Sequence, residues 1–404
     1  MKVLLSAIWC EPGRGGEQEV GWQAVLAATR RHEVWVLTHP GSVRPVQEAL
    51  RARRLADRAH IEGVSLGGRI DRFLHTGTLR FHAYQDRWQR RAKERARELD
   101  EEVDFDLVHH ATLCAYWTRA GVGALGKPFV WGPLGGGVEA PLPLIPELGV
   151  RGMGEFLLRR TGRGLLARHQ PIARLQRQAA VAWVANVETA AVVASPGRTV
   201  IYPQGACASV EAVGPPPART HEVVFVGRLI PWKACKLAVR TLRHMRRRDA
   251  VLHVYGNGPD RGRVERAVKA WGLQQRVVFE GHVERKELHR RLARAAVLLH
   301  PALHDESTLA VAEALSFGTP VVCLAHGGPR ELVRHWPASP SFTVAPSSPG
   351  STARVLAAAV DRFMNEPAPI PPGPLRPTTA FSETLLRAYE QAATHHMAVG
   401  RHVR

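Results

Sequence analysis

Ten short apolar runs, rich in valine, leucine and aromatic residues, recur along the chain, and stretches of helical character separate most of them. The runs are KVLLSAI (2–8), HEVWVLT (32–38), FDLVHH (105–110), PFVWG (128–132), VAWVAN (181–186), VVFVG (223–227), VLHVYG (251–256), VVFEG (277–281), VLLHP (297–301) and PVVCL (320–324). Between them lie amphipathic segments such as GRVERAVKAWG (262–272) and RKELHRRLARA (285–295). This alternation predicts parallel sheets wrapped by helices. At 404 residues the chain exceeds what one core usually supports, so two domains are expected. The proline-rich stretch GPPPART (214–220) reads as a linker between domains 1–213 and 221–372, and a second, PAPIPPGPLRPTT (367–379), sets off a last helical segment within 373–404. The expected fold class is α/β: two Rossmann-like, doubly wound parallel-sheet domains facing across a cleft, with ligands beyond the carboxyl ends of the strands.

A net charge of +19 favours anionic partners such as phosphorylated substrates, nucleic acid or an acidic membrane face. Arginine dominates, with only seven lysines, and such a bias also arises from genome composition alone. Five scattered cysteines (Cys10, Cys114, Cys207, Cys235 and Cys323) show no C-x-x-C spacing, which suggests neither zinc nor a redox pair and fits a reducing cytosol. The N-terminal apolar run is short for a signal peptide, and no run approaches the ~20 residues of a membrane span.

Four stretches carry chemistry. In VVFVGRLIPWK (223–233), Gly227 permits close backbone approach, and Arg228 and Lys233 lie at the carboxyl edge of a sheet. Two cations there suit a diphosphate, although solvated surface charge explains either one alone. VLHVYGNGPDRGRVERAV (251–268) is strand, glycine-rich turn and helix. Its G-x-G-x-x-x-G spacing is not the dinucleotide fingerprint, so Gly256 and Gly258 line a cleft or simply make a tight turn. In HPALHDESTLAVAEALSFGTPVV (300–322), a strand ends in a polar loop and a helix starts near Thr308, capped by Ser307 or Thr308, so that its free amides form an anion site. Asp305 and Glu313, spaced D-x7-E, suit hydroxyl groups such as those of a sugar and a ribose. WCEPGRGGEQEVGW (9–22) sets Gly13, Gly15 and Gly16 after the first strand, where amides can approach a phosphate or merely form a flexible turn.

Together these pieces resemble the family-4 retaining glycosyltransferases of the GT-B fold. The resemblance covers nearly the whole chain. It is strongest at 223–333, where GRLIPWK, YGNGPD, FEGHV, the D-x7-E with ALSFGTPVV, and GGPRELV stand in the family's order, and weaker in GRGGEQEVGW, HEVWVLT and FDLVHH. It implies an acceptor-side domain at 1–213, a nucleotide-sugar domain at 221–372 and a last helix, FSETLLRAYEQ, that returns to the first domain. It further implies that Arg228 and Lys233 bind the donor diphosphate and that Glu313 holds the ribose. Asp305, or Glu306 beside it, touches the sugar. Amides around Ser307, Thr308 and Leu309 reach the diphosphate, and backbone near Val283 receives the base. Gly15, Gly16, Gly227, Gly256 and Gly258 complete the donor site, with Gly16 approaching from the first domain. The chain departs from the pattern at Asp305, at Ala234 where glycine is usual, and at WGPLGGG (131–137), where a histidine is common. Acceptor-side chemistry then falls to His109, His110 or the backbone of Gly135 to Gly137.

The resemblance implies transfer with retention of configuration and without metal or other cofactor, two cations and a helix terminus carrying the charge of the leaving diphosphate. The expected partners are a nucleotide-sugar donor and a glycan or lipid-linked acceptor in polysaccharide or cell-surface glycan assembly. The arginine-rich stretches 72–97 and 156–178 have apolar faces that suit an anionic membrane surface, giving a cytoplasmic, peripheral location; each reads equally as a solvated helix face. Two other functions fit part of the sequence. A nucleic-acid-binding protein would use the basic charge, but Asp305, Glu306 and Glu313 would meet its phosphates, so no nucleic acid is expected. A GT-B epimerase would turn over the donor with no acceptor.

Overall fold

The computed structural model describes residues 1–68, 71, 78–167, 169–193, 197–207, 210, 218–306, 308–337, 339–369 and 378–401. Ser307, 214–217 of the first proline-rich stretch and 370–377 of the second lie outside the described residues. The chain divides into two compact units. One comprises Met1–Gly137, Gly162–Cys207 and Thr378–Arg404; the other comprises Val138–Thr161 and Ala208–Pro377.

The first unit is built on strands β1 (Lys2–Ser6), β2 (Glu33–Thr38), β3 (Ala59–Gly63), β4 (Leu107–His110), β5 (Phe129–Leu134), β6 (Val181–Val184) and β7 (Arg198–Ile201). They form one parallel sheet in the order β3-β2-β1-β4-β5-β6-β7. The second unit has β8 (Glu222–Val226), β9 (Val251–Tyr255), β10 (Val277–Gly281), β11 (Val297–His300), β12 (Val321–Leu324) and β13 (Ser341–Val344), again all parallel, in the order β10-β9-β8-β11-β12-β13. Both are doubly wound: the chain lays strands outward on one side of the first strand, then returns to build the other side. All ten apolar runs are strands. β3, β7 and β13 were not foreseen. Each is a sheet edge, and each is only partly buried.

Residues 138–161, placed by the sequence in the first domain, pack in the second unit. They contribute Ala140, Leu144, Leu148 and Phe156 to its core. Glu147 is buried and accepts from Arg240 Nε at 3.0 Å. Glu155 Oε2 accepts from the indole N–H of Trp232 at 3.3 Å, and the Arg159 guanidinium lies 5.2 Å from the centre of that indole.

The helix Thr378–Arg401 packs in the first unit against the helix Gly16–Thr29. Phe381 sits 5.0 Å from Trp183, ring centre to ring centre, and Tyr389 is fully buried. The Tyr389 hydroxyl is 2.8 Å from His109 Nδ1, and His109 Nε2 is 2.7 Å from the carbonyl oxygen of Gly132. A carbonyl only accepts, so Nε2 carries the hydrogen and Nδ1 accepts from Tyr389. Among the described residues no helix is long and apolar enough to cross a membrane.

The Tyr389→Phe variant leaves a buried imidazole nitrogen without a donor and should lose about 1–3 kcal/mol. Thermal unfolding of the full chain checks this; an unchanged midpoint would show that the bond does not hold the last helix in place.

Candidate functional site

In the second sheet β8 and β11 are neighbours, but the chain leaves β8 toward β9 and leaves β11 toward β12. The two loops therefore diverge and leave a crevice at the carboxyl ends of these strands. Gly227 and Arg228 follow β8, and residues 301–308 follow β11. The β8 loop is fixed by the turn after β9. A Cβ at Gly256 (φ 128°) would lie 2.1 Å from the carbonyl oxygen of Gly227, and one at Gly258 would lie 2.3 Å from that of Leu229. Both glycines thus serve backbone contact, and the Leu229 N–H closes it by donating to the carbonyl of Asn257 at 2.9 Å. Ala234, where the resembling family has glycine, adopts φ 51° and ψ 42°, a left-handed conformation costing a β-carbon residue about 1 kcal/mol or more. Val283 is half-buried between β10 and the helix Arg285–Arg294.

Lys233, in the short turn Pro231–Lys233, pairs with Asp305 Oδ2. The same oxygen accepts from His300 Nε2 at 2.9 Å. Burial works against the Asp305 charge, but Lys233 and the His300 hydrogen bond outweigh it and hold the carboxyl far below the usual range. Burial also depresses His300 and keeps it neutral, against the pull of Asp305. Arg228 is exposed and makes no ion pair or side-chain hydrogen bond among the described residues. Glu306 Oε1 accepts from the backbone N–H of Val138 at 2.9 Å, while His304 Nδ1 donates to the Val138 carbonyl at 2.6 Å. Glu306 is thereby tied to the 138–161 segment, whereas Asp305 Oδ1 has no partner among the described residues. The Asp305 carbonyl accepts from Gly328 N–H at 2.9 Å, joining the loops after β11 and β12.

Thr308 stands at the N-cap of the helix Leu309–Ser316, but its hydroxyl makes no capping bond; the residue is 2% exposed, and its hydroxyl has no partner among the described residues. The first-turn amides, Leu309 among them, are left without intrahelical acceptors. Glu313, buried on this helix, places Oε1 3.1 Å from Arg285 Nη2 and 3.3 Å from His289 Nε2, the latter without hydrogen-bond alignment. Arg228, Lys233, Asp305, Thr308, Leu309 and Glu313 are thus all carried by the loop after β8 or by the loop and helix after β11. Sequence reasoning missed His300, Arg285 and His289. The last two, four residues apart on one helix face, gave the only hint.

In the first unit, Gly15 (φ 72°) and Gly16 (φ 59°) open the helix Gly16–Thr29, and a Cβ at Gly16 would meet nothing. Glu17 and Glu19 occupy the same first turn. Glu17 accepts from Leu113 N–H at 2.9 Å, and Glu19 from Gly13 N–H at 3.0 Å. His109 does not fit acceptor chemistry: it is fully buried with both nitrogens bonded, and burial lowers it to about 4. His110 is equally buried and lowered to about 3. Gly136 and Gly137 face packing, since added β-carbons would lie 2.1 Å from the Trp117 ring and 2.4 Å from Thr189 Cα.

Residues 220–365 match the family model described as Glycosyl transferases group 1. A 2-deoxystreptamine glucosyltransferase of Streptomyces kanamyceticus is 34% identical over 148 residues, 36% of this chain and 37% of that one. A GDP-mannose-dependent alpha-mannosyltransferase of Mycolicibacterium smegmatis is 37% identical over 112 residues, 28% of this chain and 27% of that one. The chain therefore spans little more than a third, or less, of the lengths of these relatives. A solved sucrose-phosphate synthase from Thermosynechococcus elongatus aligns over 96% of this chain and 98% of its own, with a TM-score of 0.58 and 16% identity. That likeness is one of fold. The two parallel-sheet α/β units are those of the GT-B fold.

The Asp305→Asn variant leaves Lys233 without its counter-charge and should lose on the order of 3 kcal/mol at neutral pH. A carboxyl depressed by folding stabilises above its unfolded value of about 3.9 and loses that contribution as pH falls toward its folded value. The gap between variant and wild type should therefore narrow below about pH 4. Denaturation at pH 7 and at pH 3 reads both, and a gap constant with pH would exclude the ion pair as its source.

Proposed function

We propose that the chain is a glycosyltransferase that moves a sugar from a nucleotide-sugar donor to a glycan or lipid-linked acceptor, with retention of configuration. The observation that carries this reading is the grouping, at the β8–β11 crevice, of a lysine with an arginine, a helix N-terminal hydroxyl and two carboxylate oxygens that have no partner among the described residues. All of them lie within the stretch that matches the glycosyltransferase family. Arg228 and the remaining donors of Lys233 would bind the diphosphate, helped by the amide of Leu309 and the hydroxyl of Thr308. Glu313 would hold the ribose hydroxyls, and Asp305, rather than the backbone-bound Glu306, the sugar.

As the donor bond breaks, charge grows on the leaving diphosphate. Fixed cations and amides stabilise that charge without reorganising. In same-face attack the acceptor hydroxyl oxygen forms the new glycosidic bond as the donor bond breaks, and its proton passes to the leaving diphosphate oxygen, so the step requires neither a protein nucleophile nor the buried His109 and His110 as base. A lipid-linked acceptor is favoured by one feature: Val150, Leu157 and Leu158 on the helix Gly149–Ala167 are 95%, 56% and 73% exposed. Apolar side chains on an arginine-bearing helix suit an anionic membrane surface.

Thermal shift against UDP, GDP, ADP, TDP and their sugars tests the donor site. A nucleotide at about 100 times its dissociation constant should add roughly 2.7 kcal/mol of stability. Arg228→Ala and Glu313→Ala should abolish the shift. No response to any nucleotide would refute the assignment.

A further inference from the structure

Each acid of the D-x7-E pair has one oxygen held and the other open. Asp305 Oδ2 receives both Lys233 and His300, and Oδ1 has no partner among the described residues. Glu313 Oε1 faces both Arg285 and His289, and Oε2 has no partner among the described residues. In both cases a cation and a nearly buried histidine lie against the same oxygen, and both histidines are 1% exposed. The Asp305 arrangement is the tighter one. His300 ends β11, and its ring spans the base of the loop to reach a carboxylate five residues on.

The His300 ring is costly for stability alone. Its Nδ1 is buried with no hydrogen-bond partner among the described residues, and a buried polar atom left unpaired is a penalty that an apolar residue at the end of a buried strand would avoid. Facing a carboxylate, Nε2 must carry the hydrogen, so the ring is the neutral donor described above. Lysine alone fixes a carboxylate poorly, because its ammonium is a point charge on a flexible stem and tolerates rotation of the acid about its terminal torsion. A second donor from a rigid ring on the same oxygen removes that freedom and directs Oδ1 away from both.

We propose that His300 is a positioning residue. It locks the Asp305 carboxylate so that Oδ1 presents a fixed acceptor to a hydroxyl of the donor sugar, while the diphosphate is held elsewhere, by Arg228 and Lys233. The inference rests on the nucleotide-sugar reading above and adds to it which group sets the sugar-facing geometry.

The test is calorimetric titration of the full chain with four pairs of probes: UDP with UDP-glucose, GDP with GDP-mannose, ADP with ADP-glucose and TDP with TDP-glucose. Wild type is compared with His300→Leu, His300→Asn and His300→Gln. The glutamine amide extends as far as imidazole Nε2; the asparagine amide stops at the position of Nδ1. In His300→Leu and His300→Asn the nucleoside diphosphate should bind within about twofold of wild type, while the nucleotide sugar weakens about tenfold, the loss expected of one oriented hydrogen bond. His300→Gln should recover most of the sugar affinity. If His300→Leu does not fold, the asparagine and glutamine pair still decides. Equal weakening of diphosphate and sugar in a variant would make His300 a purely structural residue, and unchanged sugar affinity in His300→Asn would also overturn the proposal. Failure of wild type to bind any of these probes would instead bring down the nucleotide-sugar reading, and this inference with it.

Discussion

The site depends on a constraint of winding. A parallel sheet that starts in its middle and builds outward must, at one point, send neighbouring strands' exits in opposite directions. In the second unit that point lies between β8 and β11. Parallel strands bring all their carboxyl ends to one edge, so the loop carrying Arg228 and the loop carrying Asp305 arrive side by side, although 77 residues separate the two positions in the chain. No side chain creates the crevice; the side chains that use it need only sit directly after the right strands. Glycines 256 and 258 then hold the Arg228 loop through backbone contacts that leave no room for a methyl group.

Charge placement within the crevice reflects a balance between desolvation and pairing. Asp305 is 7% exposed, and an isolated carboxylate there would take up a proton. Lys233 and His300 keep it ionised. Arg228, in contrast, stays exposed and uncommitted. The two cations of the GRLIPWK run are therefore unequal: one is already engaged with an internal acid, and the other is available to whatever enters.

Sequence legibility followed burial. All ten apolar runs were visible: nine are inner strands paired on both sides, and the tenth, β10, is a partly buried edge whose VVF start still reads as apolar. β3, β7 and β13 were not, because an edge strand such as AHIEG or RTVI is paired on one side only and tolerates polar residues. Arg228, Lys233, Asp305 and Glu313 were legible because residue type and position after a strand suffice to place them. His109 was misjudged for a related reason. A histidine at a strand end looks available until Tyr389, 280 residues later, occupies its Nδ1. Arg285 and His289 were missed because their meaning comes from Glu313, which reaches them only through helix packing. The left-handed Ala234 shows the reverse case, a local conformation that the sequence does not advertise.

The excursion of residues 138–161 bears on how the polypeptide comes to be assembled during synthesis. The second unit's core includes Leu144, Leu148 and Phe156, which leave the ribosome well before β8 exists, and the first unit's core includes Phe381 and Tyr389, among the last residues made. Neither unit is complete in any contiguous stretch of chain. Excising 221–372 at its proline-rich borders would strip Trp232 of Glu155 and Arg159 and leave Arg240 without Glu147. The nascent chain must therefore hold early apolar segments in waiting until late ones arrive, and the first unit, the first to begin, is the last to be completed.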